Sequence, residues 1–484
     1  MAQSTINIAH PQACFIDGQW VEPAAGEQIN VICAHSEEVI ATVAEAGEAE
    51  VEQAALAARR AFDEGPWPRL SPQERAEYVR RLSAALEARM PEVARAWVDQ
   101  IGALASAAPI VTGGGKFWFD YYADLANSFD WERQVSRIDG QGCAEILRDP
   151  VGVVATIAPW NNPFGIMAGK LAPALIAGCT VVMKPAPETP LEAYILAEAA
   201  EAAGFPDGVV NLICAERTAS EHLVRHPAID KVSFTGSVAA GRRIGMACAE
   251  RFARCTLELG GKSAAIVLED ADVALAAATL ANVITLSAGQ VCATLSRVVV
   301  VDALHDRLVE ALRTELAKVT VGHPDDPTSR MGPLAMERQR DRVESYVAIG
   351  RQEGARIVLG GARPANLGKG WYFEPTLFDG VTSNMRIARE EIFGPVLSVL
   401  RAHDEAEAIR IANDSDFGLY GAVFCATADR AGRVARAVRS GTIAHNGFLF
   451  DPSLPFGGFK HSGVGREGGT YGLASFTETK SLIF

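Results

Sequence analysis

The sequence predicts an α/β protein built on parallel sheets. Short apolar runs alternate with helical stretches between residues 151 and 237, and the alternation resumes from about residue 255. Strands that alternate with helices indicate βαβ units, whose right-handed crossovers place helices on both faces of a parallel sheet. The length of 484 residues suggests about three structural units.

Each element of that pattern has its own local signal. Ser71-Pro72-Gln73-Glu74 combines an N-cap, a proline at the first helical position and a capping-box glutamate, so a helix is predicted from there to about Arg89. Apolar residues at helical spacing also predict a helix over 51–62, after a start of short strands. The middle region predicts strands at 151–159, 179–185, 209–213 and 231–237, with helices at 164–177, 189–204 and 218–225.

The C-terminal half repeats the alternation and ends on a strand. AAIVLED, SRVVVVD and ARIVLGG are strand-like runs separated by helices, in a region that extends to about residue 460. SFTETKSLIF at the end alternates apolar and polar residues, which is typical of a half-buried strand. A strand in that position has to pair with something, and a partner subunit is one candidate.

Composition argues against several classes of function. The chain carries 45 basic and 59 acidic residues, a net charge of -14, so binding nucleic acid through phosphates is not expected. No run of about 18 uncharged apolar residues predicts a membrane span, and MAQSTINIAHPQ lacks the pattern of a signal peptide. The nine cysteines, an odd number without a C-x-x-C pair, predict neither a disulfide framework nor a metal site, so a reducing, cytoplasmic compartment is expected.

Three polar residues are candidates for chemistry, each with a plainer alternative. Cys292, in SAGQVCATLSR, is either an inert buried thiol or a nucleophile beside free backbone N–H groups. Glu258, in CTLELGGKS, is either a structural carboxylate, paired with Lys262 or exposed, or a general base whose pKa is raised by burial. Asn161, in APWNNPFG, either caps a turn or donates to an oxyanion.

Two further segments are candidates for binding a cofactor. Gly236 and Gly241 frame FTGSVAAG at a strand-to-helix junction, where a helix N-terminus can bind a pyrophosphate. Their spacing differs from the G-x-G-x-x-G dinucleotide fingerprint. Lys184, at the end of the strand in VVMKP, is either a solvated charge or a group that reaches a ribose hydroxyl at the carboxyl edge of the sheet.

Seven segments in series resemble the aldehyde dehydrogenase superfamily. They occur in the family's order, with family-like spacing, and are APWNNP, VVMKP, FTGS, LELGGKS, GQVC, EEIFGPV (390–396) and PFGGFKHSGVGRE (455–467). The resemblance implies three parts, which are a Rossmann-like cofactor domain (1–126 and 147–254), an α/β catalytic domain (255–465) and a small β oligomerisation element (127–146 and 466–484). It also implies a homodimer or homotetramer, in which the C-terminal strand extends a neighbour's sheet.

The same resemblance implies oxidation of an aldehyde to a carboxylic acid with NAD(P). Cys292 attacks as a thiolate, its backbone N–H and the Asn161 side chain hold the oxyanion, hydride leaves for the nicotinamide, and a thioester remains. Glu258 deprotonates the water that hydrolyses this thioester, and its presence favours water over coenzyme A as the acyl acceptor. Lys170 and Glu467 match positions in a proton path behind that base.

Cofactor contacts also follow from the resemblance. Trp160, Lys184 and Ser237 match contacts to the ribose and phosphates of the cofactor. Glu391 and Phe393 match residues that hold the nicotinamide ribose and ring. Pro187 stands where the family often has an acidic residue that grips the adenine ribose. We expect NAD, with NADP possible, because no extra basic residue is evident nearby in the sequence.

A substrate tunnel is implied as well. Positions that are aromatic or bulky in many relatives are Asn162 and Gly169 here, and Gly165 is also small. These residues predict a wide tunnel that accepts a bulky or branched aldehyde. Phe450 and Phe456 are expected to form an apolar wall, which disfavours small, highly charged substrates.

Three other functions stay open from the sequence. A semialdehyde dehydrogenase acting on a carboxylated aldehyde would need an arginine in the tunnel, and the sequence does not place one. A nicotinamide-independent thiol hydrolase using Cys292 would need a histidine base beside it. An inactive structural relative would be expected to lose Cys292 or Glu258, and both are present.

Overall fold

An eight-stranded sheet, a seven-stranded sheet and a separate three-stranded sheet organise the chain. The computed structural model describes residues 6–484. Residues 1–5, which belong to the expected cofactor domain and to the segment without a signal-peptide pattern, lie outside the described residues. In the part that is described, the helices are all too short or too polar to cross a membrane.

The N-terminal region contains short strands, then helices, then a long hairpin. Its elements are β1 (Cys14–Ile16), β2 (Gln19–Val21), β3 (Gln28–Ile32), β4 (Val39–Ala44), α1 (Glu48–Asp63), α2 (Pro72–Glu87), α3 (Met90–Ile101), α4 (Ala108–Leu125), β5 (Glu132–Ser136) and β6 (Cys143–Pro150). α2 begins as its sequence predicts, because the Ser71 hydroxyl accepts the Glu74 N–H at 3.2 Å and the Glu74 carboxylate accepts the Ser71 N–H at 2.7 Å.

The middle region alternates strand and helix. Its elements are β7 (Val153–Ile157), α5 (Pro163–Ala177), β8 (Thr180–Lys184), α6 (Leu191–Ala203), β9 (Val210–Leu212), α7 (Arg217–Arg225), β10 (Lys231–Thr235), α8 (Val238–Glu250) and β11 (Arg254–Glu258). Strands β7 to β10 are buried along their whole length, which explains why they are continuous apolar runs rather than alternating ones.

The C-terminal half builds the second sheet and the last strands. Its elements are β12 (Ala264–Val267), α9 (Val273–Thr285), β13 (Arg297–Val301), α10 (His305–Ala317), α11 (Glu337–Gln352), β14 (Arg356–Leu359), β15 (Thr376–Asp379), α12 (Arg386–Arg389), β16 (Val396–Ala402), α13 (Glu405–Asn413), β17 (Phe417–Gly418), β18 (Tyr420–Phe424), α14 (Ala428–Ala437), β19 (Thr442–His445), β20 (Phe459–Lys460), β21 (Gly463–Val464), α15 (Gly469–Ala474) and β22 (Thr477–Ile483).

The two large sheets confirm the predicted α/β class. The first has the order β2-β1-β9-β8-β7-β10-β11-β21 and the second β14-β15-β16-β13-β12-β18-β19. From β9 to β11, and from β15 to β19, neighbouring strands are parallel. Parallel strands place their carboxyl ends at one edge, which is where ligands bind in such sheets.

The sheets do not divide the chain where the sequence suggested. β11 pairs with β10 in the first sheet, so the expected boundary after residue 254 falls inside a strand. β21 also joins that sheet, next to β11, although it was expected in the catalytic domain. β6 continues to Pro150, beyond the expected limit of 146. Backbone pairing, rather than a change in composition, sets these limits.

The C-terminal strand finds a partner within its own chain. β22 pairs antiparallel with β6 from Thr477 opposite Pro150 to Ile483 opposite Ala144, and β5 covers the other edge of β6. The outer edge of β22 carries no strand among residues 6–484.

Register in the first sheet brings distant polar residues together. Ile157, at the end of β7, lies opposite Lys184, at the end of β8. Thr235, at the end of β10, lies opposite Glu258, at the end of β11. The loops that follow these strands therefore start from one edge of the sheet.

The edge strand β21 depends on one glycine, and this gives a stability prediction. Gly463 has φ +138°, and a Cβ there would lie 1.8 Å from the Leu257 carbonyl oxygen. Gly380 also has a positive φ, +68°, but a Cβ there meets nothing within 4 Å. We expect Gly380→Ala to lower the free energy of unfolding by about 1 kcal/mol. Gly463→Ala should lower it by about 1–3 kcal/mol more, because β21 must move off β11.

Thermal unfolding of the two variants beside the wild type measures this difference. The Tm should fall further for Gly463→Ala than for its control Gly380→Ala. Equal values would show that β21 does not need close backbone contact with β11.

Candidate active site

Cys292 follows a turn that reverses the chain after α9. Ser287, Ala288 and Gly289 all have left-handed backbone angles, with φ of 45°, 52° and 74°. A Cβ at Gly289 would lie 2.3 Å from the Gly394 carbonyl oxygen, so this position needs glycine. The turn places Cys292 in a loop between α9 and β13, as the sequence predicts, rather than within a helix.

Gln290 joins this loop to both halves of the molecule. Its side chain donates to the Ser287 carbonyl at 2.9 Å and accepts the Ala335 N–H at 3.0 Å. Its backbone carbonyl accepts the Asn161 amide at 2.9 Å. Nothing in the sequence pattern around GQVC indicates that this glutamine is fully buried, where its amide has to be hydrogen-bonded.

Asn161 is held by that bond close to the Cys292 loop. Its side chain is buried, and Nδ2 uses one hydrogen for the Gln290 carbonyl, which leaves the second hydrogen available. The plainer alternative for Asn161, that it caps a turn, applies to its neighbour instead. Asn162 is the N-cap of α5, where its side chain accepts the Gly165 N–H at 3.3 Å.

The expected wide tunnel needs a correction at each of the three small positions. A Cβ at Gly165 would lie 2.7 Å from the Asn162 side chain, so these two residues form the cap of α5. A Cβ at Gly169 would lie 3.3 Å from the indole nitrogen of Trp118, on α4. The space beside Gly169 is therefore filled by an aromatic side chain from another helix.

Glu258 is buried at the end of β11 without a hydrogen-bond partner. Neither carboxylate oxygen has a partner among the described residues. Burial, and then the charge of Glu467, raise the pKa of Glu258 well above its usual range. The suggested pairing with Lys262 does not occur, since Lys262 Nζ also lacks a partner among the described residues. Burial, and then the charge of Arg297, lower the pKa of Lys262 to about 7.

Lys170 and Glu467 form an ion pair beside this carboxylate. Lys170 Nζ lies 2.5 Å from a Glu467 oxygen, and both groups contact the Ser233 hydroxyl at 3.3 Å. Their charges act on Glu258 in opposite directions, since Glu467 raises its pKa and Lys170 lowers it. The structure therefore brings the three residues together, and it adds Ser233, which the sequence did not indicate.

The Cys292 thiol is protonated at neutral pH in this environment. Burial raises the pKa of Cys292 to about 12, with further contributions from the Glu391 and Glu258 carboxylates. Glu391 itself is held by the Gly261 N–H at 2.8 Å, and burial raises its pKa to about 7. Cys292 thus lies between two acidic groups, one of which would have to take its proton.

A cavity of about 560 Å³ lies at the carboxyl edge of the first sheet. Lys184 and Ser237 line it, together with residues of α7 and α8. Ser237 is the N-cap of α8 and accepts the Ala240 N–H at 3.2 Å. Lys184 is buried, and burial lowers the pKa of its ammonium group.

Both basic and acidic residues line this cavity, the acidic ones being Glu216 and Glu221. Arg217 and Arg243 line it from α7 and α8. Pro187 lines it as well, while the adjacent Glu188 pairs with Arg338. The arginines are distant in sequence from the strand-end lysine, so the sequence around Lys184 could not show them.

The two glycines of the strand-to-helix junction have packing roles. The Gly236 N–H donates to the Glu258 carbonyl at 3.0 Å, so it is not free for a phosphate. A Cβ at Gly241 would lie 2.4 Å from Leu259 Cδ2. Neither glycine is among the residues that line the cavity, and their role as cofactor contacts stays a prediction.

The aromatic rings of Trp160 and Phe393 contact each other. Their rings are perpendicular, with centroids 5.3 Å apart. Phe393 has φ 62°, and its carbonyl accepts the Gln339 amide at 2.6 Å. The two rings are thus fixed relative to each other, as expected if both contact one ligand.

Aromatic side chains form a continuous surface between α4 and the Cys292 loop. We call Trp118, Tyr121, Phe450 and Phe456 the aromatic wall. Ring centroids are 6.4 Å apart for Trp118 and Phe450 and 5.7 Å for Phe450 and Phe456. Phe456 and Cys292 both pack against one large apolar cluster. The role of Phe450 and Phe456 as walls of a substrate tunnel stays a prediction.

Comparison with known proteins identifies relatives over nearly the whole chain. The profile of the aldehyde dehydrogenase family matches residues 20–482. Geranial dehydrogenase of Castellaniella defragrans is 41% identical, over 97% of this chain and 98% of that protein. A 3-succinoylsemialdehyde-pyridine dehydrogenase of Pseudomonas sp. is 39% identical, with the same coverage.

A solved structure supports the same relationship. The Mycobacterium tuberculosis aldehyde dehydrogenase complexed with NAD+ superposes with a TM-score of 0.94. It is 40% identical and covers 98% of each chain.

The unpartnered carboxylate of Glu258 gives a prediction about pH and stability. Because its pKa in the folded protein is above the unfolded value, it favours the folded state at low pH, and this contribution is lost as the pH rises through the folded pKa. Glu258→Gln stays neutral, so it should gain stability relative to the wild type as the pH increases.

The measurement is the Tm of both proteins from about pH 5 to about pH 9. The exposed Glu38→Gln serves as the control and should follow the wild type. A constant difference between Glu258→Gln and the wild type would show that Glu258 titrates normally.

Proposed function

The chain belongs to the aldehyde dehydrogenase family and oxidises aldehydes to carboxylic acids with NAD, and we propose that its substrate is a bulky or apolar aldehyde. We assign the reaction to Cys292, Asn161 and Glu258. The observation that carries this assignment is the loop in which Gln290 holds Asn161 beside Cys292.

Cys292 is the nucleophile in this proposal. Its thiol must lose a proton when sulfur bonds to the aldehyde carbon, because its pKa is about 12. Glu258 is a suitable acceptor, since both of its oxygens lack partners among the described residues. The free hydrogen of Asn161 Nδ2 and the Cys292 N–H then stabilise the oxyanion, and loss of one donor costs about 3 kcal/mol in the barrier.

Glu258 also serves the second half of the reaction. It deprotonates the water that hydrolyses the thioester on Cys292, and the proton passes towards the Lys170–Glu467 ion pair. A base whose pKa is raised towards neutral suits this exchange. When bound, NAD supplies the hydride acceptor.

The residues around the 560 Å³ cavity fit the adenosine half of that cofactor. Lys184 and Ser237 offer donors at the cavity wall. Glu391 and Phe393 line a second, smaller cavity together with Cys292, and Trp160 packs on Phe393. Because Pro187 brings no charge while Arg217 and Arg243 line the same cavity, NADP is proposed as a second, weaker cofactor. The ratio of catalytic efficiencies with the two cofactors tests this, and strict rejection of NADP would refute it.

The aromatic wall supports an apolar substrate rather than a carboxylated one. Burial, and then the Asp451 carboxylate, raise the pKa of Tyr121, so an acidic group lies at the wall. That charge would repel an aldehyde bearing a carboxylate. One relative is named as a geranial dehydrogenase, which agrees with an apolar substrate. Another is named as a semialdehyde dehydrogenase, so a carboxylated aldehyde is the alternative to be tested.

We propose that the protein is a homo-oligomer in the reducing cytoplasm. β22 has an outer edge without a strand from the described part of its own chain, and all nine cysteines are free. The mass in solution, compared with 51.5 kDa for one chain, tests the assembly. A mass of one chain would refute it.

Pairs of aldehydes with the same shape and different charge test the substrate class. NADH formation should be faster with isohexanal than with succinic semialdehyde, because the apolar wall and the Asp451 carboxylate both disfavour a carboxylate. The second pair, tert-butylacetaldehyde and betaine aldehyde, measures whether the same surface prefers a neutral or a cationic group. Geranial should also be a substrate. If either charged aldehyde is oxidised faster than its neutral partner, the apolar assignment is wrong and the substrate carries a charge of that sign.

Two variants make the same assay specific for the site. Cys292→Ala should form no NADH, because the thioester cannot form. Glu258→Gln should form NADH slowly and at most once per active site, because it lacks the base both for the Cys292 thiol and for the water that hydrolyses the thioester. Steady turnover by either variant would contradict the assigned roles.

Trp118→Ala tests the aromatic wall directly. We expect KM for isohexanal to rise about tenfold, because the lost apolar contact is worth about 1.5 kcal/mol, while acetaldehyde is little affected. Trp118→Phe should restore most of the binding, and Trp20→Ala, at a tryptophan stacked on His10, is the control. A lower KM for isohexanal in Trp118→Ala would show instead that the indole obstructs the tunnel.

A further inference from the structure

α8 crosses β11 in a regular register. A Cβ at Gly241 would lie 2.4 Å from Leu259 Cδ2, and one at Gly245 would lie 3.5 Å from Leu257 Cδ1. One helical turn and two strand residues both advance the chain by about 6 Å, so successive turns of α8 lie over every second residue of β11. The next contact in this series lies near the end of the helix and the start of the strand.

Two cysteines occupy those positions. Cys248 lies near the end of α8, and Cys255 lies at the start of β11. The return between them is tight, since the Ala253 N–H donates to the Cys248 carbonyl at 3.0 Å and Phe252 has φ 57°. Both side chains pack in the same apolar cluster. The fold thus places two thiols in contact that the sequence spacing did not suggest.

The two thiols have different environments. Cys248 is buried, and its pKa is raised by the hydrogen bond that it makes to Cys255 and by burial. Cys255 is partly exposed, and the hydrogen bond from Cys248, with a further contribution from Lys231, lowers its pKa to about 7. An accessible thiolate beside a second thiol is the arrangement of a redox-sensitive cysteine with a resolving partner.

We propose that Cys255 and Cys248 are a peroxide-sensitive thiol pair that closes reversibly to a disulfide. The Cys255 thiolate attacks one oxygen of hydrogen peroxide, which forms an S–O bond, breaks the O–O bond, and gives a sulfenic acid and hydroxide. The Cys248 thiol then displaces the hydroxyl group as water, with its own proton, and the S–S bond forms. A dithiol reductant returns both residues to thiols.

This pair is separate from the site of aldehyde oxidation. Cys292 lies in the loop before β13, and its thiol is protonated at neutral pH, whereas Cys255 is at the opposite end of β11 from Glu258. Cys255 should therefore react with oxidants before Cys292 in the cofactor-free protein. The proposal does not depend on the identity of the aldehyde.

Trypsin separates the two cysteines, which makes the disulfide measurable. Cleavage at arginine and lysine leaves Cys248 in the peptide IGMACAER and Cys255 in the peptide CTLELGGK. The intact protein is treated with hydrogen peroxide, its free thiols are blocked, and it is digested without reductant. We expect the two peptides to appear covalently linked, and to separate after treatment with a dithiol.

Variants assign the two steps. In Cys248→Ser, Cys255 should stop at the sulfenic acid, which dimedone traps, and no linked peptide should form. In Cys255→Ser, Cys248 should stay reduced. Cys292→Ser should still give the linked peptides, and so should the control Cys425→Ser, at a buried cysteine of the other sheet.

Alkylation of the untreated protein gives an independent measurement. At pH 7 we expect Cys255 to react on the order of tenfold faster than Cys248, because the thiolate is the reactive form. Three results would overturn the proposal. The first is that Cys248 and Cys255 are still reduced when the Cys292 peptide is already oxidised, and the second is a link between two CTLELGGK peptides from different subunits. The third is faster alkylation of Cys248 than of Cys255.

Discussion

Three hydrogen bonds to one buried amide residue hold the reacting groups in place. Gln290 binds the loop of Cys292 through Ser287, the start of α11 through Ala335, and the loop of Asn161 through its own carbonyl. These loops belong to different sheets, so their relative position is not set by the strand pairing of either one. Because the bonds to Asn161 and Ala335 are buried, losing either partner would leave a buried polar group unsatisfied and could move the oxyanion donor.

Around that anchor, the protein keeps ionisable groups in surroundings that disfavour their charge. Glu258 and Lys262 have no hydrogen-bond partner among the described residues, and the pKa of each moves towards neutrality. Glu391 has only the Gly261 N–H, and Cys292 is a protonated thiol between acids. Such groups reduce stability when they are charged, and their clustering at one cleft indicates that they are kept for chemistry.

The sequence predicted those parts of the site that depend on local pattern. Continuous apolar runs gave the strands that end at Ile157, Lys184, Thr235 and Glu258, and parallel pairing brings these ends to one edge. Contacts between helices were not predictable in this way. Trp118 fills the space beside Gly169, the arginines of α7 and α8 reach the cavity, and Cys248 meets Cys255, because helices pack in a particular register. A residue's own sequence neighbours carry no information about such distances.

Two strands near the C-terminus complete sheets that begin much earlier in the chain. β21 covers β11, the strand of Glu258, and β22 covers β6. During synthesis the ribosome therefore releases both early strands long before their edge partners exist. An uncovered strand edge is a template for pairing with another chain, so the nascent protein passes through a stage at which it is prone to aggregate. Full enclosure of the base consequently waits until β21 has left the ribosome.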